Sequence, residues 1–240
     1  MRRIMLLNPK GGCGKTTITT SLASYFASRK CSTAIIDHDA QGSSTRWLDV
    51  RPEAYPHIHG IPAYRNPKGV TRSWHLRIPR ETECAIVDTP AGLKGPELAD
   101  LVRKADIILI PVLPSHIDFD AVRGLMDELN ALRPVREGEA RVGLIANRVR
   151  VNTRIYRELD GFARELGTRF ITRLRDSQNY IRAAELGLGI YELKGANTRP
   201  DRQQWARLLA WLDGKEYSPV TRRTASPVQL PIGLSAQAKG

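Results

Sequence analysis

A glycine-rich segment near the start of the chain has the composition of a phosphate-binding loop. It follows the apolar run of residues 3–8 and precedes a helix-forming run at 19–26. Glycines let successive backbone N–H groups turn toward one centre, and the next helix presents its positive end there. Lys15 adds a full charge, so we expect the segment to bind a nucleotide polyphosphate. The predicted nucleotide-binding residues of this loop are Gly11, Gly12, Cys13, Gly14, Lys15, Thr16 and Thr17.

The loop departs from the common G-x-x-x-x-G-K-[ST] pattern, because Pro9 stands where its first glycine would be. A second lysine, Lys10, follows that proline. A lysine directly before Gly-Gly-x-Gly-Lys-Thr-Thr resembles the deviant Walker A motif of the ParA/MinD family of dimerising ATPases. The resemblance implies that ATP binds, that Lys10 reaches the nucleotide of the partner subunit, and that Lys10 and Lys15 both serve catalysis. An incidental surface lysine in a glycine-rich turn is the alternative.

Two further apolar runs end in carboxylates. Residues 33–36 lead into Asp37 and Asp39, and residues 84–87 lead into Asp88. Ligands of a doubly wound sheet lie beyond the carboxyl ends of its strands, so these carboxylates should lie near the phosphate loop. The resemblance implies that Asp39 orients the water that attacks the γ-phosphate and that Asp37 helps organise a magnesium shell. Taken alone, residues 37–44 would also fit a turn with an aspartate cap.

Magnesium is the metal that these oxygen ligands predict. Thr16 should contribute its hydroxyl, and Asp88 should hold the ion directly or through water, as in a Walker B site. A hard cation that bridges phosphate oxygens prefers oxygen ligands and keeps several waters. Thr16, Asp37 and Asp88 are therefore the predicted metal residues.

A third segment carries the expected adenine contact. Asn147 and Arg148 end the apolar run of residues 142–146, where members of the resembled family contact the adenine ring. An amide can pair with a base edge, whereas an asparagine that caps the following turn remains the alternative. Residues 110–118 are similar to the P-V-x-P-S-x-x-D stretch of partition-type members, and this similarity implies a place near the nucleotide-dependent dimer interface.

The charge of the chain favours a polyanionic partner. The net charge is +12 and the pI is about 10.0, and 28 of the 37 basic residues are arginine. Residues 146–182 hold nine arginines against four acidic residues, which predicts sequence-independent phosphate contacts with DNA. A G+C-rich genome, or arginines paired with neighbouring acids, would give the same composition. The predicted DNA-binding residues are Arg150, Arg154, Arg169, Arg173, Arg175 and Arg182.

These segments need a parallel sheet to bring them together. Apolar runs that alternate with amphipathic ones predict an α/β fold, a doubly wound and mostly parallel sheet with helices on both faces, as in P-loop NTPases. The predicted strands lie near residues 3–8, 33–37, 83–88, 106–112, 141–147 and 168–172. The predicted helices lie near 15–29, 43–49, 95–104, 118–132, 152–166, 177–186 and 199–213.

Composition also divides the chain. Residues 1–213 are expected to form one ATPase domain, and the proline-punctuated, apolar-poor residues 214–240 a disordered basic tail. Five prolines within residues 51–80 predict loop with short extended pieces. Apolar runs too short for a membrane span or a secretory signal, with an odd cysteine count, favour the cytoplasm.

Three functions compete. The resemblance favours an ATPase that forms a homodimer with ATP, binds nucleoid DNA and positions a cargo, while a ParB-like adaptor stimulates its weak hydrolysis. A membrane-cycling ATPase of the MinD type would need a C-terminal amphipathic helix, and residues 214–240 show no apolar stripe. An ATP-using metabolic enzyme of related fold is the third alternative.

Overall fold

One seven-stranded sheet forms the centre of the molecule. The computed structural model describes residues 1–65 and 77–214, and the statements below concern those residues. The strands, in chain order, are β1 (Arg2–Leu6), β2 (Thr33–Asp37), β3 (His59–Pro62), β4 (Cys84–Asp88), β5 (Ile107–Val112), β6 (Arg141–Val149) and β7 (Phe170–Arg175).

The strands stand in the order β3-β2-β4-β1-β5-β6-β7, and each neighbouring pair is parallel. This order confirms the predicted doubly wound α/β fold. Because β1 lies between β4 and β5, the loop after β1 is flanked by the loops that follow both neighbours. Ligands of such sheets bind at this crevice.

Helices connect the strands and lie on both faces of the sheet. They are α1 (Lys15–Ser28), α2 (Ser43–Asp49), α3 (Gly95–Val102), α4 (His116–Ala131), the short α5 (Arg133–Arg136), α6 (Arg154–Glu165), α7 (Gln178–Glu185) and α8 (Arg199–Leu212). A 3-10 turn at Ala196–Thr198 precedes α8. The seven longer helices coincide with the predicted ones within about three residues at either end.

Each buried strand contributes side chains to two apolar cores, one on each face of the sheet, because successive side chains point to opposite faces. Ile4 and Leu6 of β1 pack with α1, α2 and α8, in a core that includes Trp47 and Trp205. Met5, between them, joins the opposite core with α3, α4 and α6. The helices after β1 and after β5 therefore cover opposite faces, which opens the crevice at the carboxyl ends of those strands.

Residues 51–80 and the expected C-terminal tail have the least regular sequence patterns. The expected short extended piece within residues 51–80 is β3, which pairs with β2 at the edge of the sheet. Residues 66–76, and residues 215–240 of the expected tail, lie outside the described part of the chain. Across residues 1–65 and 77–214, no helix has both the length and the apolar character needed to cross a bilayer.

Candidate functional site

The phosphate loop joins β1 to α1 in a conformation that requires glycine. Gly12 and Gly14 have φ angles of 74° and 94°, in the left-handed region that glycine adopts without strain. A Cβ atom on Gly14 would lie 2.2 Å from Nδ2 of Asn147. Gly14 is also the N-cap of α1 and provides no side-chain cap, so the first N–H groups of the helix remain available to an anion.

The ammonium group of Lys15 lies over the middle of this loop. Lys15 is 7% exposed, and its Nζ donates to the carbonyl oxygens of Asn8 and Lys10, each at 3.2 Å. Both acceptors belong to the loop itself. The charge is therefore held against the carbonyl oxygens of the loop.

Lys10 lies at the outer side of the loop and is half-buried. It lines an open cleft of about 470 Å³. The loop after β4 contributes Gly92 and Lys94 to this cleft, and α4 contributes Asp120 and Glu128. Glu128 also accepts a hydrogen bond from the N–H of Gly95, the first residue of α3. The cleft thus joins Lys10 to the loop that follows the predicted Walker B strand.

Asp88 ends β4 and is 1% exposed. Strand register sets it beside Leu6 of β1 and Asp37 of β2. In the described part of the chain, neither of its carboxylate oxygens has a partner in hydrogen-bond geometry. Burial raises the pKa of Asp88 to about 7, and Asp37 adds to the rise, while the nearby hydroxyls of Thr16 and Ser44 oppose it.

These unpartnered oxygens fit the predicted magnesium ion. A buried carboxylate without a partner is costly, and a cation would remove that cost. The hydroxyl oxygen of Ser44 is likewise buried and has no partner among the described residues. Thr16, Ser44 and Asp88 therefore form a set of oxygen donors of the kind that Mg²⁺ prefers.

Asp37 and Asp39 follow β2 in a compact turn. Oδ1 of Asp37 accepts the N–H of Asp39 at 3.1 Å, and Oδ2 accepts the N–H and the hydroxyl of Thr45 at 3.0 and 2.9 Å. Asp37 thus fixes the backbone that carries Asp39. Asp39 is half-buried, and its Oδ1 accepts the N–H of Gln41.

Asn147 and Arg148 lie at an irregularity in the pairing of β6 with β7, between Ala146 and Val149. The amide of Asn147 is buried and donates to the carbonyl of Cys13 at 2.7 Å. Arg148 has a φ of 52°, and its Nε donates to Asp176 at 3.2 Å. The irregularity turns Asn147 onto the phosphate loop, and contact of either residue with adenine stays a prediction.

The six predicted DNA-binding arginines fall into two groups. Arg150, Arg154, Arg169 and Arg182 are exposed. Arg175 instead makes a bidentate pair with Asp201, which is fully buried, and Arg173 pairs with Asp160 over the ring of Tyr156. Arg150 and Arg154, although exposed, also pair within the chain, with Asp176 and Glu158. The alternative of intrachain pairing therefore describes much of this cluster.

Sequence reasoning missed two buried polar features. Asn8 is fully buried and bonds to the phosphate loop and to β5. Arg51 and Glu192 form an ion pair at 2.6 Å with both side chains 5% exposed. Asn8 could have been noticed as a polar residue at the end of an apolar strand. Arg51 and Glu192 are 141 residues apart in the chain, so no local sequence pattern links them.

The chain is similar in sequence to several known proteins. The family model described as the CobQ/CobB/MinD/ParA nucleotide binding domain matches residues 4–190. The chain is 27% identical to the maintenance of carboxysome distribution protein A of Halothiobacillus neapolitanus over 208 residues, covering 86% of this chain and 94% of that protein. It is 28% identical to the chromosome-partitioning ATPase Soj of Thermus thermophilus over 158 residues, covering 55% and 63%.

A solved structure shares the fold. The ATP complex of a Cyanothece McdA variant superposes with a TM-score of 0.66 at 17% identity, covering 87% of this chain and 96% of that one. The similarity in fold places the glycine-rich loop on a scaffold that holds ATP in that protein.

Proposed function

The chain belongs to the CobQ/CobB/MinD/ParA nucleotide-binding family, and from this premise we propose that it is an ATPase that dimerises with ATP. The dimer binds DNA without sequence preference and positions or segregates a cargo, and a partner protein stimulates hydrolysis. Relatives named for carboxysome distribution and for chromosome partitioning support a positioning role. The proposed location is the nucleoid.

One observation carries the proposal. Two lysines and two sets of carboxylates lie at one edge of the sheet, beside a helix start, α1, that has no side-chain cap in the described part of the chain. Lys15 is held at the loop centre, Asp88 has unpartnered oxygens, and Asp37 fixes Asp39. An ATPase needs this combination of cation, metal ligand and water-binding carboxylate.

Each group has a definite task in hydrolysis. Lys15 neutralises charge on the phosphates, and the N–H groups of the loop and of α1 hold their oxygens. Asp39, held by its turn, accepts a hydrogen bond from the attacking water and so orients it. Mg²⁺, when bound at Thr16 and Asp88, supplies a positive charge for the phosphate oxygens. Lys10 adds a second ammonium from the partner subunit, which links hydrolysis to dimerisation.

Catalytic variants test this proposal. Asp39→Ala should abolish turnover and lengthen ATP-dependent retention on DNA, because ATP is bound and not cleaved. Lys15→Ala should lose both ATP binding and retention, and Asp127→Ala, at an exposed position on α4, serves as the matched control. Sedimentation with DNA and with anionic liposomes, each with and without ATP, gives the readout. Retention of Lys15→Ala on DNA, or ATP-dependent binding to liposomes only, would reject the proposal.

The proposed DNA surface comprises the four exposed arginines, Arg150, Arg154, Arg169 and Arg182. Removal of a phosphate contact should lower the slope of log affinity against log salt by about 1. Arg154→Ala and Arg182→Ala should show that change, whereas Arg175→Ala should leave the slope unaltered because Arg175 is paired with Asp201. Binding titrations at several salt concentrations measure these slopes. Unchanged slopes for Arg154→Ala and Arg182→Ala would exclude them from the surface.

A further inference from the structure

Asn8, two residues beyond the end of β1, contacts the phosphate loop at two points. It is fully buried, and its side-chain oxygen accepts the backbone N–H of Lys10 at 2.7 Å. This contact from residue i to residue i+2 is an Asx turn, which fixes the direction of the chain across Pro9. The backbone carbonyl of the same residue accepts the ammonium of Lys15. One asparagine therefore contacts both lysines of the site.

The amide nitrogen of Asn8 ties this turn to the sheet. It donates to the carbonyl of Pro111 in β5 at 2.6 Å. The backbone N–H of Leu7 donates to Leu109 of the same strand, so the Asn8 side chain extends the ladder between the segments by one bond. Pro111 also begins the run that leads to the N-terminus of α4. The start of the phosphate loop is thus held against a strand of the central sheet.

We propose that Asn8 is a positioning residue for Lys10. The inference rests on the proposed function, in which Lys10 acts on the nucleotide of a partner subunit. A lysine side chain is long and loses rotamer entropy when it is ordered. A fixed backbone at Lys10 limits further ordering to the side chain, so less free energy is lost when the dimer forms.

Hydrogen-bond chemistry at this position requires both halves of the amide. The oxygen must accept from Lys10, and the nitrogen must donate to Pro111. Aspartate retains the acceptor and has no donor for the Pro111 carbonyl, whereas alanine removes both groups. Neither change touches the backbone carbonyl that receives Lys15. The two lysines can therefore be separated by substitution at one residue.

A double-mutant cycle tests the inference. Asn8→Ala, Lys10→Ala and the double variant of the full chain are compared with the unsubstituted chain. Asn8→Ala should weaken ATP-dependent dimerisation about tenfold, the effect of losing one or two buried hydrogen bonds. The double variant should dimerise no more weakly than Lys10→Ala alone, because a misplaced lysine and a missing one are equivalent. Sedimentation equilibrium at saturating ATP measures the dimer.

A matched buried asparagine provides the control. Asn179 is 6% exposed and its amide bonds to Asp201, so Asn179→Ala removes a comparable network with no contact to the phosphate loop. Its effect on dimerisation should add to that of Lys10→Ala. If Asn8→Ala loses its folded monomer, Asn8→Leu takes its place in the cycle, because leucine is similar in size to asparagine and lacks both hydrogen-bonding groups.

Each other outcome is decisive. Additive effects of Asn8→Ala and Lys10→Ala, with Lys10→Ala itself harmful, overturn the positioning role and leave the proposed function intact. Failure of Lys10→Ala to weaken the dimer overturns the proposed function and the inference together. Loss of the folded monomer in both Asn8 variants would make Asn8 a folding residue and overturn the inference.

Discussion

Glu192→Gln should destabilise the chain strongly, although residue 192 lies outside every nucleotide motif. Its carboxylate accepts from Nη2 and Nη1 of Arg51 at 2.6 and 2.9 Å and from the N–H of Gly189 at 3.0 Å. Arg51 also donates to the carbonyls of Pro56 and Gly187. The pair therefore joins the segment after α2 to the segment after α7.

The expected loss follows from the burial of both charges. Each side chain is only 5% exposed, so glutamine would leave the guanidinium of Arg51 buried without a counter-charge. Removing one partner of a buried pair costs about 3–5 kcal/mol. For a domain of this size that loss lowers the melting temperature by roughly 6–20 °C. Urea unfolding followed by circular dichroism measures the free energy, and a thermal scan measures the temperature.

An exposed pair on the same molecule gives the control. Arg154 and Glu158 form an i,i+4 pair in which the arginine is 91% exposed, and Glu158→Gln should cost no more than about 0.5 kcal/mol. The double variant Arg51→Met with Glu192→Leu should be more stable than Glu192→Gln, because no charge remains buried. A change in unfolding free energy under about 1 kcal/mol for Glu192→Gln would refute the reasoning. A double variant that is less stable than Glu192→Gln would also refute it.

Three further predictions rest on other local contacts. Gly187→Ala should lower the free energy of unfolding, measured in urea, by at least about 2 kcal/mol, because φ is 64° and the new Cβ would lie 2.6 Å from Arg51 Cα. Gly138→Ala is the control, since Gly138 has a φ of 78° in open space, and its loss of stability should be smaller. Asn147→Asp should lower ATP affinity about tenfold by calorimetry, since a carboxylate cannot donate to Cys13; unchanged affinity contradicts this. Hydrogen bonds from Arg150 lower the pKa of Asp176, so Asp176→Asn should lower the free energy of unfolding by up to about 1 kcal/mol at pH 7. This difference in stability should vanish as the pH falls through and below about 3.9, because Asp176 is then protonated. A difference in stability that persists at low pH would contradict the prediction.

The sheet and its main helices could be predicted because their signals are local. Buried parallel strands are apolar along their whole length, and the helices between them carry an amphipathic pattern. The exception is β3, whose four residues His59–Pro62 contain a glycine and a proline. A strand this short at an edge is held by its pairing with β2, and that pairing has no signature in its own residues.

The phosphate loop was accessible from sequence for a similar reason. Its glycines and lysines are contiguous, and the carboxylates follow apolar strands in a recognisable order. The contacts that hold these groups are different, because they join residues far apart in the chain. Asn8 meets Pro111, and Asn147 meets Cys13. A residue whose function depends on such a partner cannot be recognised before the fold is known.

The arginines of residues 146–182 also depend on partners that the sequence does not show. The sequence of residues 146–182 has a net charge of +5, yet Arg175 is already engaged with the buried carboxylate of Asp201. An arginine paired with a buried carboxylate would leave that carboxylate unpaired if it turned to a phosphate, and this loss opposes binding. The carboxylates that pair with Arg150 and Arg154 are Asp176 and Glu158, which are only partly buried, so releasing these arginines costs less. The proposed DNA affinity of this surface should therefore follow its exposed guanidinium groups, and its salt dependence should be smaller than the total number of arginines implies.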